Sequence, residues 1–334
     1  MKLRTATPSD GLGVPMRMLL AGAFVGLLAI GTSLGVGWGR GSGSLPGVPG
    51  LPRASHRNPG ATPRFARSID GVARPIGVAV APDGRVYLTE GGGARRIRAF
   101  DADGIEDGSF APPGSASRSW MPMYVAVSPG GDVYVTDAGT QTIHVLARDG
   151  SFLRDVASPD GGWSPLGIAF APDGRLLVTD VTSGRHRVLV FDANEALLSQ
   201  FGTEGAGDGE FSFPNAVAVD RQGRIYVSDS NNRRVQVFDA DGRFLSRIGG
   251  QAGRLAAPRG IAIDGDDRLY VVDTVDGDVH VFDVFDTPNQ LVEFGGAPGT
   301  DGTASYPNGI ALGAEGRIYV TDREGNRVQV WSKD

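Results

Sequence analysis

The chain has 334 residues, of which 51 are glycine, 21 are proline and none is cysteine, so disulfides and thiolate metal sites are excluded. Its formal net charge is −6, and because residues 1–60 hold six basic residues and one acid, residues 61–334 carry about −11. Such an acidic body lacks the basic footprint that nucleic-acid binding needs, so we expect no nucleic acid among its partners.

The N-terminal part of the chain differs in composition from the rest. Residues 1–17 form a short tail, predicted to be cytoplasmic, ahead of an uncharged, mostly apolar stretch over residues 18–38. At about 1.5 Å per residue, a helix over 18–38 spans roughly 31 Å, enough to cross a membrane. The same stretch also suits a cleaved signal sequence. Residues 39–63 are rich in Gly, Pro and Ser and predict a flexible linker.

Both alternatives for residues 18–38 place residues 64–334 on the extracytoplasmic side of a membrane. If the stretch is retained, the protein is membrane-anchored through it. If the stretch is cleaved, the protein is secreted or periplasmic.

One sequence motif recurs six times between residues 64 and 334. Its copies open at prolines spaced 43 to 49 residues apart, namely Pro75, Pro122, Pro165, Pro214, Pro258 and Pro307. This spacing matches the period of about 40–50 residues that is typical of propeller blades. Each copy holds three apolar runs and a weaker fourth, separated by turn residues, and this pattern predicts four short strands.

The two ends of the repeat array complement each other. The last copy stops at Trp331 without a fourth strand, whereas residues 65–70 form an unassigned apolar strand ahead of Pro75. Placing residues 65–70 in the last copy completes a ring and leaves no terminal sheet edge exposed. The sequence therefore predicts an all-β, six-bladed β-propeller of four-stranded antiparallel blades over 64–334. We expect the N-terminal strand to close the ring and one hydrophobic helix to precede it.

The fourth and sixth copies resemble the NHL repeat. The sixth reads Tyr306-Pro-Asn-Gly-Ile-Ala, continued by Gly316-Arg-Ile-Tyr-Val-Thr-Asp and Asn326-Arg-Val-Gln-Val. The resemblance covers about residues 65–334, although Met123-Tyr124 stands where Ile-Gly or Asn-Gly is expected. It implies a propeller that binds proteins or other ligands, with enzymes as a minority.

Strand two ends in an acid in every copy, and four copies place an arginine just before strand three. The resulting pairs are Glu90 with Arg96, Asp180 with Arg187, Asp229 with Arg234, and Asp322 with Arg327. A catalytic site needs only one such set, so their recurrence predicts structural pairs that fix the loop between the two strands. Thr142 and Asp278 replace the arginine in the second and fifth copies.

Histidine gives no sign of a metal or catalytic centre in the sequence. His144 and His280 occupy the strand-three position that holds Gln236 and Gln329 in other copies, and we interpret them as variants of the repeat. The sequence therefore predicts no catalytic residue, no metal site and no cofactor.

The residue after each repeat proline is predicted to lie at the mouth of the central channel. In chain order these residues are Ile76, Met123, Leu166, Asn215, Arg259 and Asn308. Three apolar residues from the first three blades therefore face three polar residues from the last three. Such a two-sided mouth suits an amphipathic ligand.

Two functions follow from these observations. The first is a non-catalytic binding or scaffold module that takes a protein, peptide or glycan at the channel mouth. The alternative is a calcium-dependent hydrolase of the lactonase-like propeller type, with calcium as its cofactor. Such propellers are implied to use Asn from Pro-Asn-Gly segments together with acids near the axis. Pro307-Asn-Gly fits this pattern, but no acid stands at Ile76, Met123 or Leu166.

Overall fold

The computed structural model describes residues 61–115, 119–250, 255–296 and 302–333. The predicted tail 1–17, the apolar stretch 18–38 and the linker up to residue 60 lie outside the described residues. Within the described ranges, no helix has the length and apolar character required to cross a membrane.

Three blades come from the first half of the described chain, and each is a four-stranded antiparallel sheet in chain order. They follow β1 (Arg64–Asp70), which belongs to another sheet. Blade 1 contains β2 (Pro75–Val80), β3 (Val86–Glu90), β4 (Ile97–Phe100) and β5 (Glu106–Phe110). Blade 2 contains β6 (Pro122–Val127), β7 (Val133–Asp137), β8 (Thr142–Leu146) and β9 (Phe152–Val156). Blade 3 contains β10 (Pro165–Phe170), β11 (Leu176–Asp180), β12 (Arg187–Phe191) and β13 (Leu197–Phe201).

The remaining three blades follow the same plan. A short parallel pair, β14 (Thr203–Glu204) and β15 (Glu210–Phe211), precedes them. Blade 4 contains β16 (Pro214–Val219), β17 (Ile225–Asp229), β18 (Arg234–Phe238) and β19 (Phe244–Gly249). Blade 5 contains β20 (Pro258–Ile263), β21 (Arg268–Asp273), β22 (Asp278–Asp283) and β23 (Asn289–Gly295). Blade 6 contains β24 (Pro307–Leu312), β25 (Ile318–Asp322) and β26 (Arg327–Ser332). Single 3-10 turns lie at Ser230–Asn232 and Ala314–Gly316.

The sixth sheet takes its fourth strand from the start of the described chain. β1 pairs antiparallel with β26, in the strand order β1–β26–β25–β24. Phe65 stands opposite Trp331 in this pairing, and their rings meet edge to face with centroids 5.7 Å apart. Ile69 and Val72 are buried in the same core cluster as Val78 of blade 1. The prediction of an all-β, six-bladed propeller with four-stranded antiparallel blades is confirmed.

The hydrophobic core lies between the blades. Alternation along each strand gives every sheet two faces, and the apolar side chains of one face pack against the neighbouring sheet. Tyr87 of blade 1, for example, shares a cluster with Val125 of blade 2, and Tyr270 of blade 5 shares one with Ile318 of blade 6. This packing between blades holds the first strands close to one another around the axis.

The close approach of the first strands explains a glycine of the repeat. A Cβ atom on Gly260 would lie 2.5 Å from the backbone oxygen of Asn308 in the next blade. Real Cβ contacts are not this short, so glycine is required where two first strands touch. The contact between the backbones of Gly260 and Asn308 therefore fixes the position of Arg259, the residue before Gly260, at the channel mouth.

A hydroxyl near the end of strand two ties the first strand to the next blade in several blades, whereas blade 5 has Val272 at this position. Thr136 Oγ1 accepts the backbone N–H of Tyr124 at 3.0 Å and donates to the carbonyl oxygen of Leu166 in blade 3 at 2.8 Å. Ser228 makes the equivalent bonds to Ala216 and to the carbonyl oxygen of Arg259. The backbone at the channel mouth is therefore held from both sides.

Candidate functional site

The acid–arginine pairs lie at the ends of the second strands. The Nε atom of each arginine approaches its carboxylate to 2.8 Å (Arg96–Glu90), 2.9 Å (Arg187–Asp180), 2.8 Å (Arg234–Asp229) and 3.1 Å (Arg327–Asp322). All four carboxylates are buried. Each also accepts a backbone N–H from the segment before its first strand, such as Ser212 N–H on Asp229 at 2.7 Å. This arrangement holds loops in place and leaves the carboxylates turned away from solvent.

At the channel mouth, one side chain connects residues from opposite sides of the ring. Tyr124 of blade 2 is only 8% exposed. Its hydroxyl donates to Asn215 Oδ1 in blade 4 and accepts from Asn308 Nδ2 in blade 6 at 3.2 Å. The phenol therefore spans the axis. We call Tyr124, Asn215, Arg259 and Asn308 the polar mouth.

Arg259 supplies the positive charge of the polar mouth. Its Nη1 donates to Asn308 Oδ1 at 3.1 Å, and its guanidinium lies 5.3 Å from the centre of the Tyr306 ring. Its Nε is buried and has no hydrogen-bond partner. Among the described residues, no carboxylate forms an ion pair with Arg259. The guanidinium is thus in contact with an amide oxygen and an aromatic ring, and its charge has no acid of the described residues beside it.

Burial further favours the protonated state of the phenol. Desolvation raises the pKa of Tyr124 to about 12, even though the nearby Arg259 charge acts in the opposite direction. At neutral pH the hydroxyl therefore keeps its proton and acts as a hydrogen-bond donor.

The three apolar residues predicted at the mouth contribute less surface. Ile76 and Leu166 are buried, and Met123 is partly buried. Met123 and Leu166 pack with the core cluster between blades 2 and 3. Ile76 contributes its carbonyl oxygen, which accepts from Asn308 Nδ2 at 3.1 Å. The structure thus brings Asn215, Arg259 and Asn308 together through Tyr124, whereas the apolar residues mainly support them.

A cavity of about 450 Å³ opens at the opposite end of the first strands. Its walls are the hairpin turns after those strands, including Pro82, Pro129 and Pro172, with Phe170 and Leu312 beside them. No residue of its lining is ionisable. This cavity therefore lies away from the polar mouth, and it offers no charged group, whereas the mouth carries Arg259.

Calcium does not fit the polar mouth. Ca²⁺ takes six to eight oxygen ligands, usually including carboxylates. The oxygens of both amides already accept hydrogen bonds, from Tyr124 to Asn215 and from Arg259 to Asn308. The mouth carries no carboxylate among its four residues, and Arg259 would repel a cation there. We therefore assign no step of any reaction to a metal at this position.

Sequence reasoning missed two residues of the site, Tyr124 and Tyr306. Tyr124 replaces the glycine found at Gly77, Gly167, Gly260 and Gly309, so its departure from the repeat was the available signal. Tyr306 precedes its repeat proline, and only the structure shows its ring beneath Arg259.

A protein-family comparison matches more than half of the chain. The family described as the SMP-30/gluconolactonase/LRE-like region matches residues 125–334, from the first strand of blade 2 to the end of the sequence. The NHL repeat is not named by this match, so that resemblance stays a prediction.

Solved structures with the same fold include enzymes. A gluconolactonase from Xanthomonas campestris superposes with a TM-score of 0.61 at 16% identity, covering 82% of this chain and 96% of that one. A streptogramin B lyase superposes with a TM-score of 0.60 at 17% identity, covering 80% and 96%. At these identities the likeness shows the fold alone.

Curated relatives match over short segments only. A stretch of 55 residues is 47% identical to protein lin-41 of Caenorhabditis elegans, which is 16% of this chain and 5% of that protein. The match thus spans about one twentieth of that relative's length.

Proposed function

Because the chain belongs to the SMP-30/gluconolactonase/LRE-like family, we propose that it is a hydrolase-type enzyme acting on a lactone or ester at the polar mouth. The observation that carries this proposal is Arg259. Its guanidinium lies at the channel mouth with no carboxylate partner among the described residues and with a buried, unbonded Nε. The proposal replaces the non-catalytic scaffold as the leading function, because the family match favours the hydrolase alternative.

The mouth offers electrostatic stabilisation for acyl transfer. When water attacks the carbonyl carbon of a lactone or ester, negative charge develops on the carbonyl oxygen. Preorganised donors that face this oxygen lower the barrier, and removing one such donor typically costs 10²- to 10³-fold in rate. The Arg259 guanidinium supplies donors of this kind, whereas the single proton of the Tyr124 hydroxyl is already donated to Asn215, and that hydroxyl acts by holding Asn308, which in turn holds Arg259. Substrates carrying a carboxylate would gain further attraction to the guanidinium.

A second candidate function follows because the four residues of the polar mouth include no general base. General-base catalysis needs an imidazole or carboxylate within hydrogen-bond reach of the attacking water. Neither group is present among the four residues of the mouth. The same geometry therefore supports binding of an acidic protein, peptide or glycan ligand without turnover.

One assay separates the two candidates. The full chain is incubated with a panel of five- and six-membered lactones and aryl esters, with and without chelator, and acid release is followed at constant pH. We expect turnover that survives the chelator and falls roughly 10²-fold in kcat/KM in Arg259→Ala. Arg323→Ala is the matched control, because Arg323 also lies against the Tyr306 ring, at 5.6 Å, but is not part of the mouth.

The remaining outcomes are equally informative. Saturable binding of a carboxylate ligand, lost in Arg259→Ala and without acid release, supports the binding module. Turnover that depends on added calcium contradicts the metal-free site. Turnover unchanged in Arg259→Ala places the chemistry elsewhere in the molecule.

We further propose that the propeller works outside the cytoplasm, anchored through residues 18–38 or released after their cleavage. The support is the length and apolar composition of that stretch. Cell fractionation with mass spectrometry of the mature N-terminus tests it. An intact N-terminus in the membrane fraction indicates an anchor, a new N-terminus after residue 30 indicates a signal sequence, and cytosolic protein with Met1 retained contradicts both.

A further inference from the structure

Blade 5 reverses the charge pattern found at the same place in blade 4. In blade 4 the buried Asp229 stands opposite Arg234 across β17 and β18. In blade 5 the equivalent residue, Asp273, stands opposite Asp278 across β21 and β22. Two like charges directly opposite on neighbouring strands destabilise a sheet. In blade 5 the fully buried carboxylate of Asp273 therefore stands opposite a second acid, whereas that of Asp229 in blade 4 stands opposite an arginine.

The next pair along the same edge changes in the same direction. Blade 4 places Gln236 opposite Arg247, whereas blade 5 places His280 opposite Glu293. The positions of Arg234 and Arg247 in blade 4 are thus occupied by Asp278 and Glu293 in blade 5. With Asp276 in the connecting loop, four carboxylates surround one imidazole. We call Asp273, Asp276, Asp278, His280 and Glu293 the blade 5 cluster.

The hydrogen bonds within the blade 5 cluster are incomplete. The side chain of His280 is only 4% exposed, and its Nε2 has no hydrogen-bond partner. Asp278 Oδ1 lies 3.2 Å from that nitrogen and is likewise buried without a hydrogen bond. The two atoms form a close ion-pair contact without a well-directed hydrogen bond, and Nδ1 of the same ring lies 3.1 Å from Gln290 Nε2. Buried polar groups usually make directed hydrogen bonds, so both atoms of the ion pair are available to a bound cation.

The cluster has the spacing of a metal centre. Carboxylate oxygens of Asp273 and Asp276 and a ring nitrogen of His280 lie within 4.8 Å of one another. The same holds for Asp278, His280 and Glu293. Glu293 is largely exposed, so an ion can reach the cluster from solvent.

We propose that the blade 5 cluster binds one divalent first-row transition ion, with Zn²⁺ as the best match, through His280 and its surrounding carboxylates. An imidazole with carboxylates suits Zn²⁺, whereas Ca²⁺ and Mg²⁺ prefer all-oxygen sites. The ion would supply the positive charge that arginine supplies in blades 1, 3, 4 and 6. This departs from the sequence-based expectation of no metal site, in which His280 was a variant of the repeat.

Blade 2 provides an internal comparison, because it also lacks the arginine and carries a histidine. There His144 Nδ1 lies 2.6 Å from Asp155 Oδ1, and Nε2 lies 3.3 Å from Asp137 Oδ2. Both ring nitrogens have hydrogen-bond partners and only two acids are present. His144 is therefore satisfied within the protein and makes a matched control for His280.

The test uses the full chain after chelator treatment and dialysis. ZnCl₂, MnCl₂ and CaCl₂ are titrated separately by calorimetry, and bound metal is counted by mass spectrometry. We expect one Zn²⁺ per chain and a rise in Tm with added Zn²⁺. His280→Gln, which installs the residue found at Gln236 and Gln329, should weaken binding at least tenfold. His144→Gln should leave it unchanged.

Asp278→Arg is the second informative variant, because it restores the arginine that four other blades accommodate. We expect it to abolish Zn²⁺ binding and to raise the Tm of the metal-free protein. The proposal is overturned if Zn²⁺ does not bind saturably, or if binding persists in both His280→Gln and Asp278→Arg. It is also overturned if binding is lost in His144→Gln alone, or if Ca²⁺ binds as tightly as Zn²⁺ and His280→Gln has no effect.

Discussion

The hydroxyl of Thr321 in blade 6 donates a hydrogen bond at 2.9 Å to the carbonyl oxygen of Ile76 in blade 1. The same oxygen atom of Thr321 accepts the backbone N–H of Gly309 at 2.7 Å. One buried side chain thus joins two first strands whose residues are far apart in sequence.

Thr321→Val should lower the free energy of unfolding by about 1–3 kcal/mol, because it leaves the buried N–H of Gly309 without its partner and removes one of the two hydrogen bonds that the Ile76 carbonyl oxygen accepts. Valine keeps the shape of the side chain, so the loss reports the hydrogen bonds. Denaturant unfolding measures it. Thr142→Val is the control, since Thr142 bonds only locally to the carbonyl oxygen of Thr140. Equal stability of the two variants would contradict the bridging role.

Removal of β1 should expose the edge of β26 and destabilise blade 6. A chain beginning at residue 73 loses the strand and the buried Ile69 and Val72, whereas a chain beginning at residue 61 keeps them. We expect the shorter chain to aggregate or to unfold at lower temperature, because an unpaired strand edge recruits other chains. Size-exclusion chromatography and thermal denaturation compare the two. A monomeric shorter chain of unchanged Tm would show that β1 is dispensable.

His144 should make stability depend on pH. Burial opposes its charged form, but Asp137 and Asp155 outweigh this effect and raise the pKa of His144 above 6.5 in the folded state. The protonated pair therefore contributes stability fully below about pH 6.5, and this contribution is lost as pH rises through the folded pKa. The difference in unfolding free energy between the wild type and His144→Gln should be larger at pH 5.5 than at pH 8.5. A difference that is constant with pH would show that His144 is not charged in the folded protein.

Arg234→Met should be strongly destabilising, by about 3–5 kcal/mol, because it leaves the fully buried Asp229 without its guanidinium. Arg243→Met is the control, since Arg243 is highly exposed and pairs with Asp239 and Asp241 at the surface. Its effect should stay within about 0.5 kcal/mol. Denaturant unfolding of both variants measures the contrast. If the two losses are similar, the buried pairs are not structural.

Tyr124→Phe should cost about 1–3 kcal/mol, since Asn215 and Asn308 both lose a buried partner while the ring still fills the channel. The accompanying loosening of Asn308 should also weaken carboxylate binding, because Asn308 holds Arg259. Calorimetric titration with a carboxylate ligand and denaturant unfolding check the two effects. Tyr134→Phe is the control, since its hydroxyl binds Glu195 and Arg154 away from the mouth. Ligand affinity should be unchanged in that variant.

The repeat predicted the strands closely because the same apolar runs and turns recur at corresponding positions in all six copies. The acid that ends the predicted second strand of the fourth copy, Asp229, is the last residue of β17, and the unassigned strand over residues 65–70 is β1, which begins one residue earlier at Arg64. The residues after the repeat prolines of blades 4, 5 and 6, which the repeat aligns with one another, are linked by hydrogen bonds through Tyr124 and Asn308. Periodicity fixes where a backbone position lies in the ring.

Side-chain contacts across the ring and across irregular strands were not predictable in this way. Tyr124 reaches blades 4 and 6 because its side chain is long enough to span the axis, which no alignment of the copies indicates. The pairing of His280 with Glu293 depends on a register shift between Val281 and Phe282 in β22. The sequence does not reveal this register shift, so it could not predict that four carboxylates lie around the imidazole of His280.

The position of Tyr124 also joins parts of the ring that share no sheet edge. Its hydroxyl is bonded to Asn215 of blade 4 and to Asn308 of blade 6, so three alternate blades meet at one oxygen atom. A displacement of any one of these blades therefore strains hydrogen bonds to the other two, and Tyr124 couples blades that are not neighbours in the ring.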